Sequence, residues 1–320
     1  MAETCSIILT CYNKGAYIYA AMACCVKQQA TEVLIVDDGS SDDSAGEMEK
    51  GLRCFTGCVR VIYQRNGGAA KARNRGFDTT TAQLVLFMDG DDLLPEGYLT
   101  AHLAARKGLK ELKYGITYAN FSRIYANGTV EPAPRYVYKA PVDYFLGRDG
   151  GPVIHSWLWP RTLLEKSGHW REDVVENDDF EFAARAIANS SDIICAEQTV
   201  AFYRMVESSL SHRPPSRQTN VSILEAAKTR ERCALSVENS PRVRLAVVQW
   251  YYNLLYLPSI LRDRAVQRTC WRHIRTLGGG YYEQLAGKRK LVAKLFGQQV
   301  LYVMYTLLKS RAKMYSLWLF

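Results

Sequence analysis

An acidic cluster, Asp89-Gly90-Asp91-Asp92, offers the clearest chemistry in the sequence. It follows the apolar run Leu84-Val85-Leu86-Phe87-Met88, which is typical of a buried strand. Carboxylates crowded at one strand end repel each other, and a bound divalent cation relieves that repulsion. Mg²⁺ and Mn²⁺ favour carboxylate, phosphate and water oxygens, so the cluster predicts a site for a metal-bound diphosphate. The alternative is a solvated acidic turn that caps the next helix.

A second cluster, Asp37-Asp38-Gly39-Ser40, follows the apolar run Val33-Leu34-Ile35-Val36. A carboxylate there can accept a hydrogen bond from a nucleobase N–H, and Gly39 allows the backbone to approach a ligand closely. The alternative is a helix N-cap, and both interpretations can hold together. The candidates for that N-cap are Ser40, Ser41 and Asp42.

The third cluster contains Thr10 and Tyr12, at the end of another apolar run. An aromatic ring at a strand end can stack on a base while a hydroxyl fixes the edge of that base. Taken alone, Tyr12 is better explained by plain packing. The three clusters together favour a nucleotide site.

The elements that must position these clusters alternate between short apolar runs and longer amphipathic ones, as in an α/β protein with a mainly parallel sheet flanked by helices. Because ligands bind beyond the carboxyl ends of parallel strands, the three clusters should converge. The predicted strands are Ser6–Thr10, Glu32–Asp37, Val59–Gln64 and Leu84–Asp89, and the predicted helices between them are Tyr17–Gln29 and Gly68–Thr79.

The second half of the chain predicts a hairpin and then helices. The Tyr-rich, β-branched segment Gly115–Tyr138 contains an Asn127-Gly128 turn signal, which predicts a hairpin beside the main sheet. A helix is predicted over Val174–Asn189. Beyond residue 213 the pattern becomes helical, with breaks at Pro241, Pro258 and the glycines 278–280.

Charge is distributed unevenly along the chain, whose formal net charge is +9. Residues 241–320 hold 14 Lys and Arg against two acids, whereas the remainder holds 27 against 30. The nine cysteines are an odd number in a long chain and include the adjacent pair Cys24 and Cys25, which disfavours a small secreted disulfide framework. The N-terminal residues lack a positively charged segment leading an apolar stretch. These features predict a cytoplasmic protein with a slightly acidic body and a basic tail.

Four motifs in order make the chain resemble the family 2 glycosyltransferases of GT-A fold, over about residues 5–211. A fifth segment, Asn177-Asp178-Asp179-Phe180-Glu181-Phe182 with Arg185, matches less closely because the family usually has Glu where this chain has Asp178. The Tyr203-Arg204 segment resembles a later family element. The four motifs are Ser6–Asn13, Val36–Asp42, Asn66-Gly67-Gly68 with Ala72–Gly76, and Phe87–Asp92.

The resemblance implies a role for each matching residue. Asp179 would be the general base, and Asp91 would bind Mn²⁺ or Mg²⁺, with Asp92 as the alternative ligand. His212 is either a further metal ligand or an exposed loop histidine. His155 either lines the acceptor site or accompanies the core tryptophans Trp157 and Trp159, while Asp178 and Arg204 are secondary acceptor-side candidates. The donor-binding residues implied are Thr10, Tyr12 and Asp38 for the base, Arg73 for the base or phosphates, and Asp89 for the ribose.

The activity implied is transfer of a sugar from a nucleotide-sugar, with UDP as the commonest nucleotide in the family, to a glycan or lipid-linked acceptor of the cell surface. Resemblance to this family implies a single displacement with inversion. The alternatives are an inactive sugar-nucleotide-binding scaffold and a nucleotidyltransferase. A dinucleotide-binding oxidoreductase is disfavoured because the first strand is not followed by G-x-G-x-x-G.

The organisation expected is a catalytic domain over residues 1–213 and a basic helical tail over 214–320. Within the first, residues 1–110 form the donor half and residues 111–213 the acceptor half. Basic clusters interleaved with Leu, Tyr, Trp and Phe in the tail favour an anionic membrane surface, on the inner face of the cell membrane. A second subunit is the other candidate partner, and nucleic acid is disfavoured because no reading motif is present.

Overall fold

The computed structural model describes residues 3–55, 59–147, 151–206 and 216–278. The strands are β1 (Cys5–Cys11), β2 (Glu32–Asp37), β3 (Val59–Tyr63), β4 (Leu84–Asp89), β5 (Ile116–Ile124), β6 (Val130–Pro132), β7 (Trp157–Pro160) and β8 (Ile193–Arg204). The helices are α1 (Gly15–Val26), α2 (Ser44–Cys54), α3 (Ala69–Thr79), α4 (Tyr98–Arg106), α5 (Pro141–Leu146), α6 (Arg161–Ser167), α7 (Asp178–Asn189), α8 (Arg217–Val237), α9 (Pro241–Leu255) and α10 (Arg264–Thr276).

The strands within these ranges form one sheet in the order β3-β2-β1-β4-β7-β5-β6, with β8 paired to β5. The first four strands of that order are parallel to one another. β7 then pairs antiparallel with both β4 and β5, and so joins the parallel part of the sheet to the β5–β6 hairpin. The predicted α/β class with a mostly parallel sheet is confirmed.

The apolar runs of the central strands are explained by burial on both faces, which parallel sheets covered by helices require. All residues of β1 are buried. Because successive side chains of a strand alternate between faces, Ile8 packs with residues of α3, α6 and α7, whereas Ile7 and Leu9 pack with residues of α1 and α4. Helices therefore cover both faces of the sheet.

The C-terminal helices continue the core of the body rather than standing apart from it. Val243, Tyr251 and Ile274 belong to the same buried cluster as Trp157 of β7 and Phe182 of α7. The Ser222 hydroxyl of α8 accepts a hydrogen bond from the backbone N–H of Glu176 (2.8 Å) and donates one to its carbonyl (3.0 Å). The predicted boundary near residue 213 lies outside the described residues.

Most predicted elements are present with small changes of their ends. The Asn127-Gly128 turn connects β5 to β6, but β5 is part of the main sheet and does not pack beside it. Helix α7 begins at Asp178 and not near Val174, because Asn177 has a φ of 59° and stops helical geometry there. The helical pattern after residue 216 is broken at Pro241 and Pro258, as expected.

Within the described ranges, no helix is both long enough and apolar enough to cross a membrane. The basic clusters at residues 288–290, 294 and 309–313, on which the expectation of a membrane-binding tail depends, lie outside the described residues.

Candidate functional site

Three strand ends meet at one edge of the sheet, where the sequence places its polar clusters. Thr10 of β1 is the register partner of Asp89 of β4, and its hydroxyl donates a hydrogen bond of 3.0 Å to Asp89 Oδ1. Cys11, the next residue of β1, is paired with Asp37 of β2. The expected convergence is therefore present, with a carboxylate from β4 directly beside the end of β1.

Arg73 of α3 links this edge to the acceptor half of the chain. Its Nη2 donates to Asp89 Oδ1 and its Nη1 to Asp178 Oδ2, each over 2.8 Å. Burial alone would raise the pKa of Asp89, but Arg73 and the Thr10 hydroxyl hold that pKa below its ordinary value. Asp89 is therefore ionised, and one buried guanidinium joins β4 to the start of α7.

The position of Arg73 is fixed by residues that the sequence analysis did not single out. Its guanidinium lies 4.4 Å from the centre of the Trp170 ring, and Trp170 stacks on Phe182 of α7 with ring centres 4.0 Å apart. The Asn74 amide donates to the Trp170 carbonyl over 3.0 Å and accepts from its N–H over 2.8 Å. In the sequence, Asn74 belongs to the same Ala72–Gly76 motif as Arg73, which could have indicated a shared role.

Asp38 shapes the loop between β3 and α3. Its Oδ1 accepts from Gln64 Nε2 (2.7 Å) and from the Gly67 N–H (2.8 Å), and its Oδ2 accepts from the Gly68 N–H (2.8 Å). Both carboxylate oxygens thus bind this protein's own loop. The role of Asp38 in holding the base stays a prediction, to which the structure adds a role in positioning the loop.

Gly39 and Tyr12 lie beside that loop. Gly39 has a φ of 74°, and a Cβ there would lie 2.8 Å from the backbone nitrogen of Asn66. The Tyr12 side chain is 40% exposed and does not pack in the core. Tyr12 therefore remains available for stacking. The N-cap of α2 is Asp43, whereas Ser40, Ser41 or Asp42 was expected.

Asp91 and Asp92 point to different neighbours. Lys14 forms an ion pair with Asp91 Oδ2. Burial and the nearby charge of Asp92 raise the pKa of Asp91 to about 6 despite Lys14. Asp92 Oδ1 accepts from the backbone N–H of Arg204 over 2.9 Å. Asp91 therefore pairs with the ammonium group of Lys14, whereas Asp92 is hydrogen-bonded to the backbone of β8.

His155 lies beneath this cluster and does not face an open surface. It is fully buried, its Nδ1 is 3.1 Å from Asp92 Oδ2, and its carbonyl accepts a 2.9 Å hydrogen bond from the Tyr98 hydroxyl. Burial lowers the pKa of His155, but the three carboxylates of the acidic cluster more than offset this and raise it. Trp157 and Trp159 are core residues with no exposed area. Of the two interpretations, the structure supports the core one.

Arg204 completes the cluster from β8. Its Nε donates to the Asp91 carbonyl over 2.7 Å, and its guanidinium lies 5.2 Å from the centre of the Tyr17 ring. Arg204 thus fixes the backbone that carries the acidic cluster. His212 lies outside the described residues.

Asp179 occupies the first turn of α7, next to the Asp178 carboxylate that binds Arg73. It is half-buried. Burial, followed by the charge of Asp178, raises the pKa of Asp179 to about 7, while Arg73 acts in the opposite direction. A carboxyl group with such a pKa exchanges protons readily near neutral pH, which is the property that a general base needs.

The residues present fit a divalent cation that would be held mainly by the phosphates of a bound substrate and by water. No group of three or more His, Cys, Asp and Glu side chains in the described residues is arranged as a complete metal site. Magnesium-type sites often use only one or two carboxylates together with substrate phosphates and water. The crowding that raises the pKa of Asp91 would be relieved by such a cation, so Asp91 fits that limited role.

The structure is that of an α/β protein with a cluster of carboxylates at the carboxyl ends of its parallel strands. The same fold is found in residues 1–349 of S. aureus TarS in complex with UDP-GlcNAc. The two structures have a TM-score of 0.61 and 17% sequence identity, and the match covers 89% of this chain and 93% of the TarS chain. At 17% sequence identity, this similarity shows a shared fold and nothing about activity.

Sequence comparison points to one family. Residues 6–152 match the model of glycosyl transferase family 2, so this part of the chain is similar to that family. The glycosyltransferase GlyG of Streptococcus pneumoniae is 35% identical over 102 residues, which are 31% of this chain and 34% of GlyG. The succinoglycan biosynthesis protein ExoU of Rhizobium meliloti is 28% identical over 197 residues, 58% of this chain and 57% of ExoU. The chain thus spans about a third of GlyG and somewhat more than half of ExoU.

Proposed function

We propose that this protein is an inverting glycosyltransferase that moves a sugar from a UDP-sugar to a hydroxyl group of a cell-surface glycan or lipid-linked acceptor. The match to the family 2 model supports the reaction class. The UDP-GlcNAc complex of the structural neighbour TarS supports a UDP-sugar donor, and the role of ExoU in succinoglycan biosynthesis supports a polysaccharide product. One observation carries the proposal: a half-buried carboxyl group, Asp179, has a pKa of about 7 beside the edge of the sheet that would receive the donor.

The donor side of the reaction uses the strand-end clusters. The nucleobase would lie against Thr10 and exposed Tyr12, near the loop held by Asp38, and Asp89 would contact the ribose. Arg73 is already held 2.8 Å from Asp89, so it is positioned to approach the base or the phosphates with little rearrangement. A site whose groups are fixed before the ligand arrives loses less conformational entropy on binding.

Asp91 would hold Mn²⁺ or Mg²⁺ together with the diphosphate, with Asp92 as the weaker candidate because its oxygens bind Arg204 and approach His155. When bound, the cation stabilises the charge that develops on the diphosphate leaving group. Lys14, the ion-pair partner of Asp91, adds a further positive charge near the same oxygens. The protein thus supplies cationic groups where negative charge must be stabilised.

The acceptor side of the reaction depends on Asp179. A sugar hydroxyl is a weak nucleophile, and Asp179 would remove its proton while the oxygen attacks the anomeric carbon. The proton passes to the carboxylate, the new glycosidic bond forms as the bond to the diphosphate breaks, and the configuration at the anomeric carbon is inverted. Asp178, held by Arg73 over 2.8 Å, fixes the first turn of α7 and with it the position of Asp179.

Replacement of the base tests this function. Asp179→Asn keeps the shape of the side chain but cannot accept a proton, so we expect transfer to fall by about a hundredfold to ten-thousandfold, the usual contribution of a general base. UDP binding measured by calorimetry should be nearly unchanged, because Asp179 does not belong to the predicted donor site. Transfer is measured as UDP release with a panel of UDP-sugars and glycan acceptors.

The matched control is Asp173→Asn, which removes an exposed carboxylate whose partner is the surface residue Arg171. This variant should retain full activity. Near-normal transfer by Asp179→Asn would refute the assignment of the base, and failure of the unmodified protein to release UDP from every donor tested would refute the proposed reaction.

A further inference from the structure

A row of arginines runs along the outer side of helix α10. The row consists of four exposed residues at spacings of three and four, which place them on one helical face: Arg264, Arg268, Arg272 and Arg275. We call this row the arginine face. The opposite side of the helix is apolar and packs into the core, since Val266, Cys270 and Ile274 are almost fully buried. The arginine face therefore has a fixed orientation on the surface of the body.

Among the described residues, the charge of this face is not compensated by ion pairs. None of its four guanidinium groups has an ion-pair partner in the part of the chain that the structure describes, in contrast to Arg73, Arg106 and Arg185 of the body. Asp263 is the one acid in the sequence between residues 241 and 278. Its carboxylate accepts the N–H groups of Ala265 (3.1 Å) and Val266 (3.2 Å), so it serves as the cap of α10.

We propose that the arginine face docks the protein on an anionic phospholipid surface. Four charges across twelve residues of helix form a straight row about 16 Å long, a shape that suits a flat surface better than a pocket. Clusters of four or more basic residues on an amphipathic helix bind acidic headgroups electrostatically. The sequence after residue 278 continues with seven Lys and Arg against one acid, interleaved with Leu, Tyr, Trp and Phe, as in segments that lie at a membrane interface.

The packing of α10 also determines how this helix would bind a lipid surface. Since its apolar side belongs to the core, α10 adsorbs through charge and does not insert into the hydrocarbon region. Its contribution must therefore fall steeply with salt, because the screening length shrinks from about 10 Å at 0.1 M salt to about 3 Å at 1 M. This mode is independent of the proposed glycosyl transfer and can be tested without a donor or an acceptor.

The test is sedimentation of the full chain with phosphatidylcholine vesicles that either contain or lack phosphatidylglycerol. The double variant Arg268→Gln/Arg272→Gln should lower the partition coefficient on the anionic vesicles about thirtyfold, as expected for two arginines near the surface. The variant Arg268→Lys/Arg272→Lys keeps both charges and should bind like the unmodified protein. Circular dichroism confirms that the variants fold.

The matched control is Lys107→Gln/Lys110→Gln, which removes two exposed charges from the segment that follows α4. If binding depends on the arginine face and not on net charge, this variant should bind anionic vesicles normally. Equal loss in the control, or unchanged vesicle binding by the α10 Gln variant, would overturn the proposal. So would a change of oligomeric state by the Gln variant without loss of vesicle binding, since the face would then contact a second copy.

Discussion

The pH dependence of transfer follows directly from the environment of Asp179, whose pKa is raised to about 7 by burial and then by Asp178. A general base works only when deprotonated, so the active fraction rises with pH through this pKa. That fraction is about 10% at pH 6, half at pH 7 and about 90% at pH 8. We therefore expect kcat/KM to rise about tenfold from pH 6 to pH 8, whereas an Asp of ordinary pKa would give a flat profile.

The assay is UDP release at donor concentrations well below KM, because kcat/KM then reports ionisations of the free enzyme. Mn²⁺ is kept saturating so that proton competition at Asp91, whose pKa is raised to about 6, does not contribute to the acidic limb. Ionic strength is held constant across the buffers.

The variant Asp178→Asn identifies the titrating group. It removes the negative charge that helps to raise the pKa of Asp179, so the acidic limb should move to lower pH by about one unit, a typical effect of one nearby charge. The maximal rate should also fall, because Arg73 loses one of its two carboxylate partners. A flat profile in the unmodified protein, or an acidic limb that stays in place in Asp178→Asn, would refute this account of Asp179.

Two further substitutions test how the site is held. Arg73→Lys keeps the charge but cannot reproduce two 2.8 Å hydrogen bonds to separate carboxylates together with stacking on Trp170, so kcat/KM should fall about tenfold to hundredfold, and a smaller loss would contradict the bridging role. Gly39→Ala should lower the free energy of unfolding by about 1–3 kcal/mol in urea titration. Its control, Gly97→Ala, has the same φ of 74° but nothing within 4 Å of the new Cβ, so an equal effect of both substitutions would exclude the steric contact with Asn66 as the cause.

The sheet was predictable where burial on both faces leaves an uninterrupted apolar run. The predicted strand over 84–89 matches β4, and the predicted ends of the strand around Ile8 differ from β1 by one residue. β7 was missed because it is short, contains two tryptophans and pairs antiparallel with strands distant in sequence. Nothing local indicates such pairing, since it is decided by which apolar surfaces remain to be covered.

The part of the site at the sheet edge was predictable, because the carboxyl ends of neighbouring parallel strands lie side by side. The sequence places Thr10 and Asp89 at neighbouring strand ends, and the structure joins them by a hydrogen bond. It does not indicate that Arg73 binds Asp178, 105 residues away, or that Trp170 supports it. The sequence also left open whether His155 lies at the acceptor site or in the core, because its burial depends on packing between distant elements. Contacts between distant elements depend on side-chain direction, which spacing alone does not specify.

Arginine is used in two opposite ways in this protein, and ionic strength distinguishes them. Arg73 is buried with two carboxylates, so salt in solution screens its interactions little. The arginine face of α10 is exposed and forms no ion pair with any residue that the structure describes, so salt screens it strongly. If the two proposals are both right, raising salt must release the protein from anionic vesicles at concentrations that leave transfer to a soluble acceptor almost unchanged. In the sequence, the net charge of +9 comes from residues 241–320, which include the arginine face, because the remainder holds 27 Lys and Arg against 30 acids.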